Sequence, residues 1–547
     1  MIPAARDPNQ QLDKEMSRGK VSVMNNQNRR DFLLSTGAMA TAAVARDAWT
    51  SPARADTAVS SEWDYRTAKD TAAALRARKI GAAELADHVI ARIEKLDQKL
   101  NAVVVRDFDR AREAAKAADA ALARGEQRPL LGVPMVVKES FNIAGLPTTW
   151  GVPAFKGWMP QEDAVTVTRL KAAGAVILGK TNVPIHLQDW QSYNDIYGTT
   201  NNPWDLGRTP GGSSGGSAAA LAAGFGPVSL GSDIGGSLRV PAHYCGVYAH
   251  KPTYDLVPAR GHTPPSVAAI PRHVDLAVVG PMARSAADLA LELDLLAGPD
   301  EARDGVAYRL ALPAPRHEDL KSFRVLVVDT HPLLPTATSV RTALDRLAER
   351  LGKAGAKVGR ESPLLPDLAE GARLYMRLLL GVVSVQWPPE QVQLVASAAA
   401  MLPPDDKSLG AERIRGALIA HRDWMAADGG RAKQQQQWSE LFREWDVVLC
   451  PPIATPAYPH DHSVPDYARH IEIDGKQYQY QDQLVWPGVA TVPGLPATAA
   501  PIDHTDTGLP IGVQIVGPYL EDRTPIAFAE LIEREFGGFV PPPGYTG

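Results

Sequence analysis

The most constraining feature of this 547-residue chain is a pair of Gly-Gly-Ser clusters. The first contains Ser213 and the second contains Ser237, 24 positions later. A flexible linker would continue in glycine and serine, but each cluster here gives way to apolar sequence that can start a helix. Clustered glycine lets backbone amides approach a ligand closely, and a helix N-terminus directs its N–H groups at negative charge. The pattern therefore favours a built site in which a serine acts as a nucleophile.

A serine nucleophile must lose its proton as it attacks, so it needs a base. Ser237 follows a glycine-containing loop whose amides can converge on a carbonyl oxygen that becomes negative. Each such donor is typically worth about 3–4 kcal/mol of transition-state stabilisation. None of the thirteen histidines lies in a recognisable acid–base context. Lys138 ends a buried apolar run, and burial lowers the pKa of a lysine below its usual value of about 10.4. Lys138 is therefore the candidate base.

With these residues in place, the chain resembles the amidase signature family. The resemblance implies that Ser237 is the nucleophile, that Ser213 relays its proton, and that Lys138 is the final base. It also implies a cis peptide bond between Gly212 and Ser213. The amides implied to form an oxyanion hole are those of Ile234, Gly235, Gly236 and Ser237.

The resemblance extends from about Trp63 to Gly537 and includes further segments in family order. Glu139 is one departure, because the family commonly has aspartate there; we expect the same mechanism.

Ser214 either bonds Lys138 or caps the helix that follows it, and the sequence leaves this open. Asp233 and Arg239 are predicted to pair and to hold the loop before Ser237. Further family-like segments are Gly179–Asn182, Gly198–Pro203, Lys251–Thr253, Gly280–Ser285 and Gly508–Gln514.

Strand-like and helix-like segments alternate along most of the chain, which is typical of an α/β fold. We expect a mixed, largely parallel sheet flanked by helices on both faces, forming one catalytic domain over residues 56–547. The segment from about 368 to 444 is mostly helical in pattern. It predicts a helical excursion over the sheet that forms a wall or lid for a pocket.

Residues 1–55 are predicted to be an N-terminal extension with an export signal rather than part of the fold. Arg29-Arg30 precedes Phe32-Leu33 and an uncharged stretch, which resembles a twin-arginine signal. Ala53-Arg54-Ala55 offers a small-x-small cleavage site. The alternative is a disordered alanine-rich tail. The signal predicts a periplasmic protein, with Met24 as a natural start.

Composition excludes several classes of protein. The formal net charge is −5 and no run of lysine or arginine occurs, which argues against a nucleic-acid partner. The uncharged N-terminal stretch is too short to span a bilayer, which needs roughly 20 residues. With only two cysteines there is no disulfide framework and no thiolate metal site. His460-Asp461-His462 lacks a third ligand at useful spacing, so we expect a solvated loop and no metal there.

Two further motifs match known signatures by letter only. Gly174–Thr181 fits the phosphate-binding loop pattern, but its intervening residues predict a strand and Pro184 follows where a helix should start. Gly211–Gly215 fits the nucleophile elbow of α/β-hydrolases, but the elbow requires a strand directly before it, and a loop with two prolines stands there instead.

These observations predict a cofactor-independent hydrolase that cleaves a small carboxylic amide. Trp190, Tyr193 and the region of Trp486 favour an aryl or hydrophobic acyl group. Ester or carbamate cleavage by the same site is an alternative. An amidotransferase subunit of a tRNA-dependent complex and a non-catalytic binding protein are the others. A homodimer is one possible assembly.

Overall fold

A computed structural model describes residues 61–546, which belong to one compact unit. The predicted export signal, Arg29-Arg30 and the predicted cleavage site lie outside the described residues. The strands of the described part are β1 Val103–Arg106, β2 Pro134–Lys138, β3 Val176–Thr181, β4 Tyr193–Asn194, β5 Gly198–Thr199, β6 Val228–Asp233, β7 Tyr248–Lys251, β8 Val278–Ala283, β9 Arg324–Val327, β10 Lys357–Gly359, β11 Val447–Cys450, β12 His470–Ile473, β13 Lys476–Gln479, β14 Ala497–His504 and β15 Pro510–Val516.

Helices alternate with these strands along most of the chain. They are α1 Ala68–Arg76, α2 Ala82–Leu100, α3 Phe108–Ala123, α4 Val165–Ala172, α5 Gly215–Ala222, α6 Arg239–Cys245, α7 Ala286–Leu296, α8 Thr338–Lys353, α9 Leu368–Val383, α10 Pro389–Ala400, α11 Leu409–Ala417, α12 His421–Glu444, α13 Val485–Thr491 and α14 Arg523–Phe536. The predicted α/β fold with helices flanking a mixed sheet is confirmed.

Eleven strands form the main sheet of the described residues, in the order β1-β3-β2-β6-β8-β7-β14-β15-β11-β9-β10. Parallel pairing occurs in two groups, β3-β2-β6 and β11-β9-β10. The pairs between these groups are antiparallel, as is the edge pair β1-β3. Four of the ten pairings in this sheet are therefore parallel, so the sheet is mixed but not largely parallel as expected. Strands β2, β6 and β15 are buried along their whole length. The apolar run of β2 is typical of a strand that is covered on both faces.

The pairing of β2 with β6 positions the candidate site. The two strands run parallel, with Met135 opposite Val228 and Val137 opposite Leu230. Both strands end at the same edge of the sheet, β2 at Lys138 and β6 at Asp233. The carboxyl edge of parallel strands is the usual place for a site in an open α/β sheet.

The predicted helical excursion is present as α9 to α12, which span 368–444. Helix α9 packs against α11, α12 and α13. Its inner face buries Tyr375 and Met376, whereas α10 has no buried residue. The segment is therefore anchored to the sheet domain through α9.

Two local features of the N-terminal half depend on a turn or on neighbouring strands. Residues 68–100 form two helices, α1 and α2, because residues 77–81 form a turn. Strand β6 has no strand-like pattern of its own. Its sequence contains glycine and two serines, and its extended conformation depends on hydrogen bonding to the neighbouring strands β2 and β8.

Candidate active site

Lys138 lies at the end of β2 with its ammonium nitrogen surrounded by three serine hydroxyls. Its Nζ donates to Ser213 Oγ over 2.7 Å, to Ser232 Oγ over 2.9 Å and to Ser214 Oγ over 3.0 Å. The side chain is 0% exposed. Burial lowers the pKa of Lys138 to about 7, and the negative charge of Asp233 opposes this shift. A lysine with this pKa is substantially neutral near pH 7 and can accept a proton.

The first Gly-Gly-Ser cluster forms a tight turn at the start of α5. The peptide bond between Gly212 and Ser213 is cis, as the resemblance implies. A Cβ at Gly212 would lie 2.3 Å from the carbonyl oxygen of Asp189, so only glycine fits there. The turn holds Ser213 against Lys138, and the Ser213 residue is 2% exposed.

The second cluster forms a turn between β6 and α6 and lies directly beside the first. The amide of Ser214 donates to the carbonyl of Ser237 over 3.2 Å, which joins the two clusters. Gly236 adopts a φ of +94°, a conformation that favours glycine. The structure thus places Lys138, Ser213 and Ser237 at one edge of the sheet, with Lys138 hydrogen-bonded to Ser213.

An ion pair between Asp233 and Arg239 holds this second turn in place. Arg239 donates to both carboxylate oxygens of Asp233, from Nη2 over 2.8 Å and from Nε over 3.0 Å. The same carboxylate accepts the amides of Gly236 over 2.9 Å and of Leu238 over 3.0 Å. Burial opposes ionisation of Asp233, but Arg239 outweighs this and lowers its pKa to about 2. The predicted pairing is confirmed.

One of the amides predicted to form the oxyanion hole has a partner within the protein. The Gly236 amide donates to the carboxylate of Asp233, so it is engaged there. The amides of Ile234, Gly235 and Ser237 remain candidates. The carbonyls of this turn are also held, because Tyr375 donates to the oxygen of Ile234 over 2.5 Å and Trp190 Nε1 to that of Gly235 over 2.9 Å.

The model of the Amidase family matches residues 84–525. The chain belongs to the amidase signature family. This amidase is 34% identical over 501 residues to a glutamyl-tRNA(Gln) amidotransferase subunit of Anaeromyxobacter sp. (strain K), covering 87% of this chain and 97% of the relative.

Two further similarities show the breadth of the family around this amidase. It is 32% identical over 484 residues to an indoleacetamide hydrolase of Bradyrhizobium diazoefficiens, covering 86% of this chain and 87% of the relative. Its fold matches a solved inhibitor-bound complex that bears on the origins of an s-triazine catabolic enzyme. The TM-score is 0.70 at 30% identity, with 86% of this chain and 98% of the other covered.

The structure settles the role of Ser214, which the sequence leaves open. Ser214 is the residue before α5, but its side chain makes no capping hydrogen bond. Its Oγ instead accepts from Lys138 and lies 3.3 Å from the carbonyl oxygen of Ser232, to which it donates. Ser214 is therefore part of the lysine environment of the amidase.

Sequence reasoning missed Ser232 and Tyr375 in this site. Ser232 reaches Lys138 from the neighbouring strand, so no local spacing connects the two residues. Tyr375 belongs to the predicted helical excursion, but nothing in its own sequence context distinguishes it from other apolar helix positions. The turn of residues 234–237, between β6 and α6, is called the serine turn below. Only a prediction that β2 pairs with β6 and that α9 packs against the serine turn would have found Ser232 and Tyr375.

Glu139, the departure from the family pattern, does not contact the three serine hydroxyls that surround Lys138. Its carboxylate accepts the amide of Thr149 over 2.5 Å and that of Trp150 over 3.0 Å. Burial raises the pKa of Glu139, and the charge of Lys180 opposes the rise. Glu139 fixes the loop that follows β2, which agrees with the expectation of an unchanged mechanism.

The other motifs have structural roles in the amidase. Residues Val176–Thr181 of the phosphate-loop-like motif form β3, and Lys180 donates to Thr148 Oγ1 over 2.8 Å. The segment before Gly211 is a loop, as predicted. His460 contacts Asn201 Oδ1 over 3.0 Å, and His462 stacks on Tyr193. Within residues 61–546, no helix is both long and apolar enough to cross a bilayer.

Proposed function

We propose that this amidase hydrolyses a small carboxylic amide to an acid and an amine, with Ser237 as the nucleophile. The observation that carries the proposal is the hydrogen bond between Lys138 Nζ and Ser213 Oγ beside the turn of Ser237. The buried lysine has a pKa of about 7, which suits a base that works near neutral pH.

The reaction begins with a proton transfer along the relay. Ser237 Oγ attacks the amide carbon while its proton passes to Ser213 Oγ and the proton of Ser213 passes to neutral Lys138. The carbonyl oxygen becomes negative and is stabilised by amides of the Ile234–Ser237 turn. When the C–N bond breaks, the relay returns the proton to the leaving nitrogen. The products of this half are a free amine and an acyl-Ser237 ester.

The second half uses the same groups in reverse. Water attacks the acyl ester, and its proton passes through Ser213 to Lys138. The tetrahedral intermediate collapses, the bond to Ser237 Oγ breaks, and the relay returns a proton to Ser237. No cofactor is required by these steps.

The nature of the acyl group belongs to the proposal as well. Trp190 lies beside the serine turn and supports an aryl or hydrophobic acyl group. Of the three aromatic residues named from sequence, Trp190 is the one that a hydrogen bond ties to this turn, whereas the hydroxyl of Tyr193 accepts from Arg469 over 2.8 Å and Trp486 is fully buried. The indoleacetamide hydrolase relative supports testing aryl amides first.

Hydrolysis of a panel of substrates tests the proposal. The panel contains aliphatic amides, arylacetamides, anilides, esters and carbamates, assayed with the wild-type chain and with Ser237→Ala. We expect amide hydrolysis by the wild type and none above background by the variant at an unchanged melting temperature. Undiminished amide hydrolysis by the folded variant would exclude Ser237 as nucleophile, and hydrolysis of esters or carbamates alone would favour the alternative activity.

The relative with 34% identity makes an amidotransferase subunit the second candidate function. The proposed hydrolase is expected to act without a partner, whereas an amidotransferase subunit acts within its complex. Purified chain that hydrolyses amides without tRNA or a second protein supports the hydrolase. Co-purification with another subunit that is required for activity supports the transferase.

We also propose that the chain is exported to the periplasm. The support is sequence alone, namely Arg29-Arg30 and Ala53-Arg54-Ala55. Replacing both arginines by lysine tests this. We expect the wild-type protein in the periplasmic fraction and the double variant in the cytoplasm; equal distribution of the two would contradict export by this signal.

A further inference from the structure

The carbonyl group of Ile234, in the serine turn, is bonded by a side chain from a remote segment. Tyr375 lies on α9, and its hydroxyl donates to the Ile234 oxygen over 2.5 Å. The tyrosine is fully buried. Burial raises the pKa of its hydroxyl, so the group stays protonated and remains a donor.

This hydrogen bond also determines where the next amide points. The peptide bond between Ile234 and Gly235 is trans, since the cis bonds of the described residues are elsewhere. In a trans peptide the C=O and N–H groups point in opposite directions. By fixing the oxygen of Ile234 on the side of α9, Tyr375 directs the N–H of Gly235 to the opposite side of the turn.

The neighbouring peptide is fixed differently. Trp190 donates to the oxygen of Gly235, and the N–H of that same peptide, which belongs to Gly236, donates to Asp233. The orientations of two successive peptide groups are therefore fixed. The second of them, between Gly235 and Gly236, directs its N–H at Asp233 within the protein. The amide of Gly235 is the one whose direction depends on Tyr375.

Tyr375 itself has little freedom to move. A Cβ at Gly488 of α13 would lie 2.6 Å from the tyrosine ring, so the ring packs directly on that backbone. The hydroxyl lies near Gly235 as well, 3.7 Å from the place of a Cβ there. Helix α9 is tied to α11 by Arg377 Nε, which donates to Glu412 over 2.8 Å.

We propose that Tyr375 is a positioning residue that orients the Gly235 amide as an oxyanion donor during attack by Ser237. This inference rests on the proposed function of Ser237. It assigns the helical segment a part in the chemistry, through the backbone of the turn that carries Ser237. Tyr375 acts only through the backbone and contacts no reacting atom.

Tyr375→Phe tests the proposal, because it removes only the hydroxyl. The first readout is the rate of labelling by a fluorophosphonate, which reacts with a serine nucleophile through a negatively charged phosphoryl oxygen and needs no knowledge of the substrate. We expect labelling at least about tenfold slower than wild type. Labelling carried to its end point counts active sites, so any misfolded fraction is corrected for.

Tyr248→Phe is the matched control. Tyr248 is also fully buried, and its hydroxyl has no hydrogen-bond partner within the described residues. We expect it to label at the wild-type rate. With an amide from the substrate panel, Tyr375→Phe should lower kcat at least about tenfold and leave KM within about twofold.

The possible results separate the two proposals. Labelling of Tyr375→Phe within twofold of wild type overturns the role of Tyr375, while the function of Ser237 still stands. A raised KM with unchanged kcat also overturns it, because Tyr375 would then act on substrate binding. Labelling of Ser237→Ala at the wild-type rate would instead overturn the proposed nucleophile.

Discussion

Lys138 Nζ donates a hydrogen bond to Ser232 Oγ over 2.9 Å, although the two residues stand on different strands. Together with Ser213 and Ser214, this gives an ammonium group three hydroxyl acceptors, one for each of its hydrogens. Ser232 therefore stabilises the charged form of the lysine, in opposition to burial. Removal of the Ser232 hydroxyl should lower the pKa of Lys138.

The first prediction concerns the pH dependence of kcat/KM. The rate requires neutral Lys138, so it should rise with pH through a midpoint at about 7 in the wild type. In Ser232→Ala the ammonium loses a charge-assisted hydrogen bond, and the pKa of Lys138 should fall. A hydrogen bond to a charged group contributes about 1.5–3 kcal/mol, and one pKa unit corresponds to about 1.4 kcal/mol. We therefore expect the midpoint to move to lower pH by about one unit or more.

Ser229→Ala is the control for this shift. Ser229 lies on the same strand and is also buried, but its hydroxyl has no partner within the described residues. Its pH profile should match the wild type. A midpoint that stays at about 7 in Ser232→Ala would mean that Ser232 does not stabilise the charged lysine.

The second prediction concerns the stability of the Asp233–Arg239 pair. Both side chains are fully buried, so Asp233→Asn leaves the Arg239 guanidinium without its counter-charge. We expect a loss of about 3–5 kcal/mol in the free energy of unfolding, measured in urea. Asp87→Asn, in the exposed pair with Arg112, should cost at most about 1 kcal/mol. Equal losses would show that burial of the pair is unimportant.

The third prediction separates Glu139 from the chemistry. Glu139→Gln replaces one carboxylate oxygen by an NH2 group, which cannot accept the amide of Thr149 or Trp150. We expect a loss of about 1–3 kcal/mol in the free energy of unfolding. The pH midpoint of kcat/KM should stay at about 7, because the charge of Asp233, rather than that of Glu139, acts on Lys138. A shifted midpoint would contradict a purely structural role.

The fourth prediction concerns the close packing at Gly212. In Gly212→Ala the new methyl group would lie 2.3 Å from the oxygen of Asp189, so the turn must move and displace Ser213. We expect loss of amide hydrolysis and a lower melting temperature. Gly429→Ala is the control, because nothing lies within 4 Å of that Cβ in α12 and alanine favours the helix by about 0.5–1 kcal/mol. Full activity in Gly212→Ala would show that the turn tolerates displacement.

The sequence predicted the parts of this site that depend on local signals. Lys138 stands out because it ends an apolar run, and Ser213 and Ser237 because each glycine cluster gives way to apolar sequence that can start a helix. The partners of these residues were harder to predict. Ser232 and Tyr375 act across strand and helix contacts that form only when β2 pairs with β6 and α9 reaches the turn. Such contacts have no signature at either residue.

The same distinction applies to the fold. The apolar run that ends at Lys138 is typical of a buried strand, and β2 ends at that residue. Strand β6 carries glycine and serine, which have low strand propensity, and it is extended because it lies between two paired strands. Tertiary context therefore decides the conformation at the very strand that supports the serine turn.

The order of the elements along the chain has an evolutionary consequence. The groups that carry the proposed chemistry fall between Lys138 and Arg239, whereas the helices over the sheet follow much later, at 368–444. We expect insertions or exchanges in the later segment to leave the reacting groups intact, because those groups lie on other elements. The contact from Tyr375 limits this freedom, because a replacement helix would again have to supply a donor to the Ile234 carbonyl. Change in the later segment is thus constrained at this helix position.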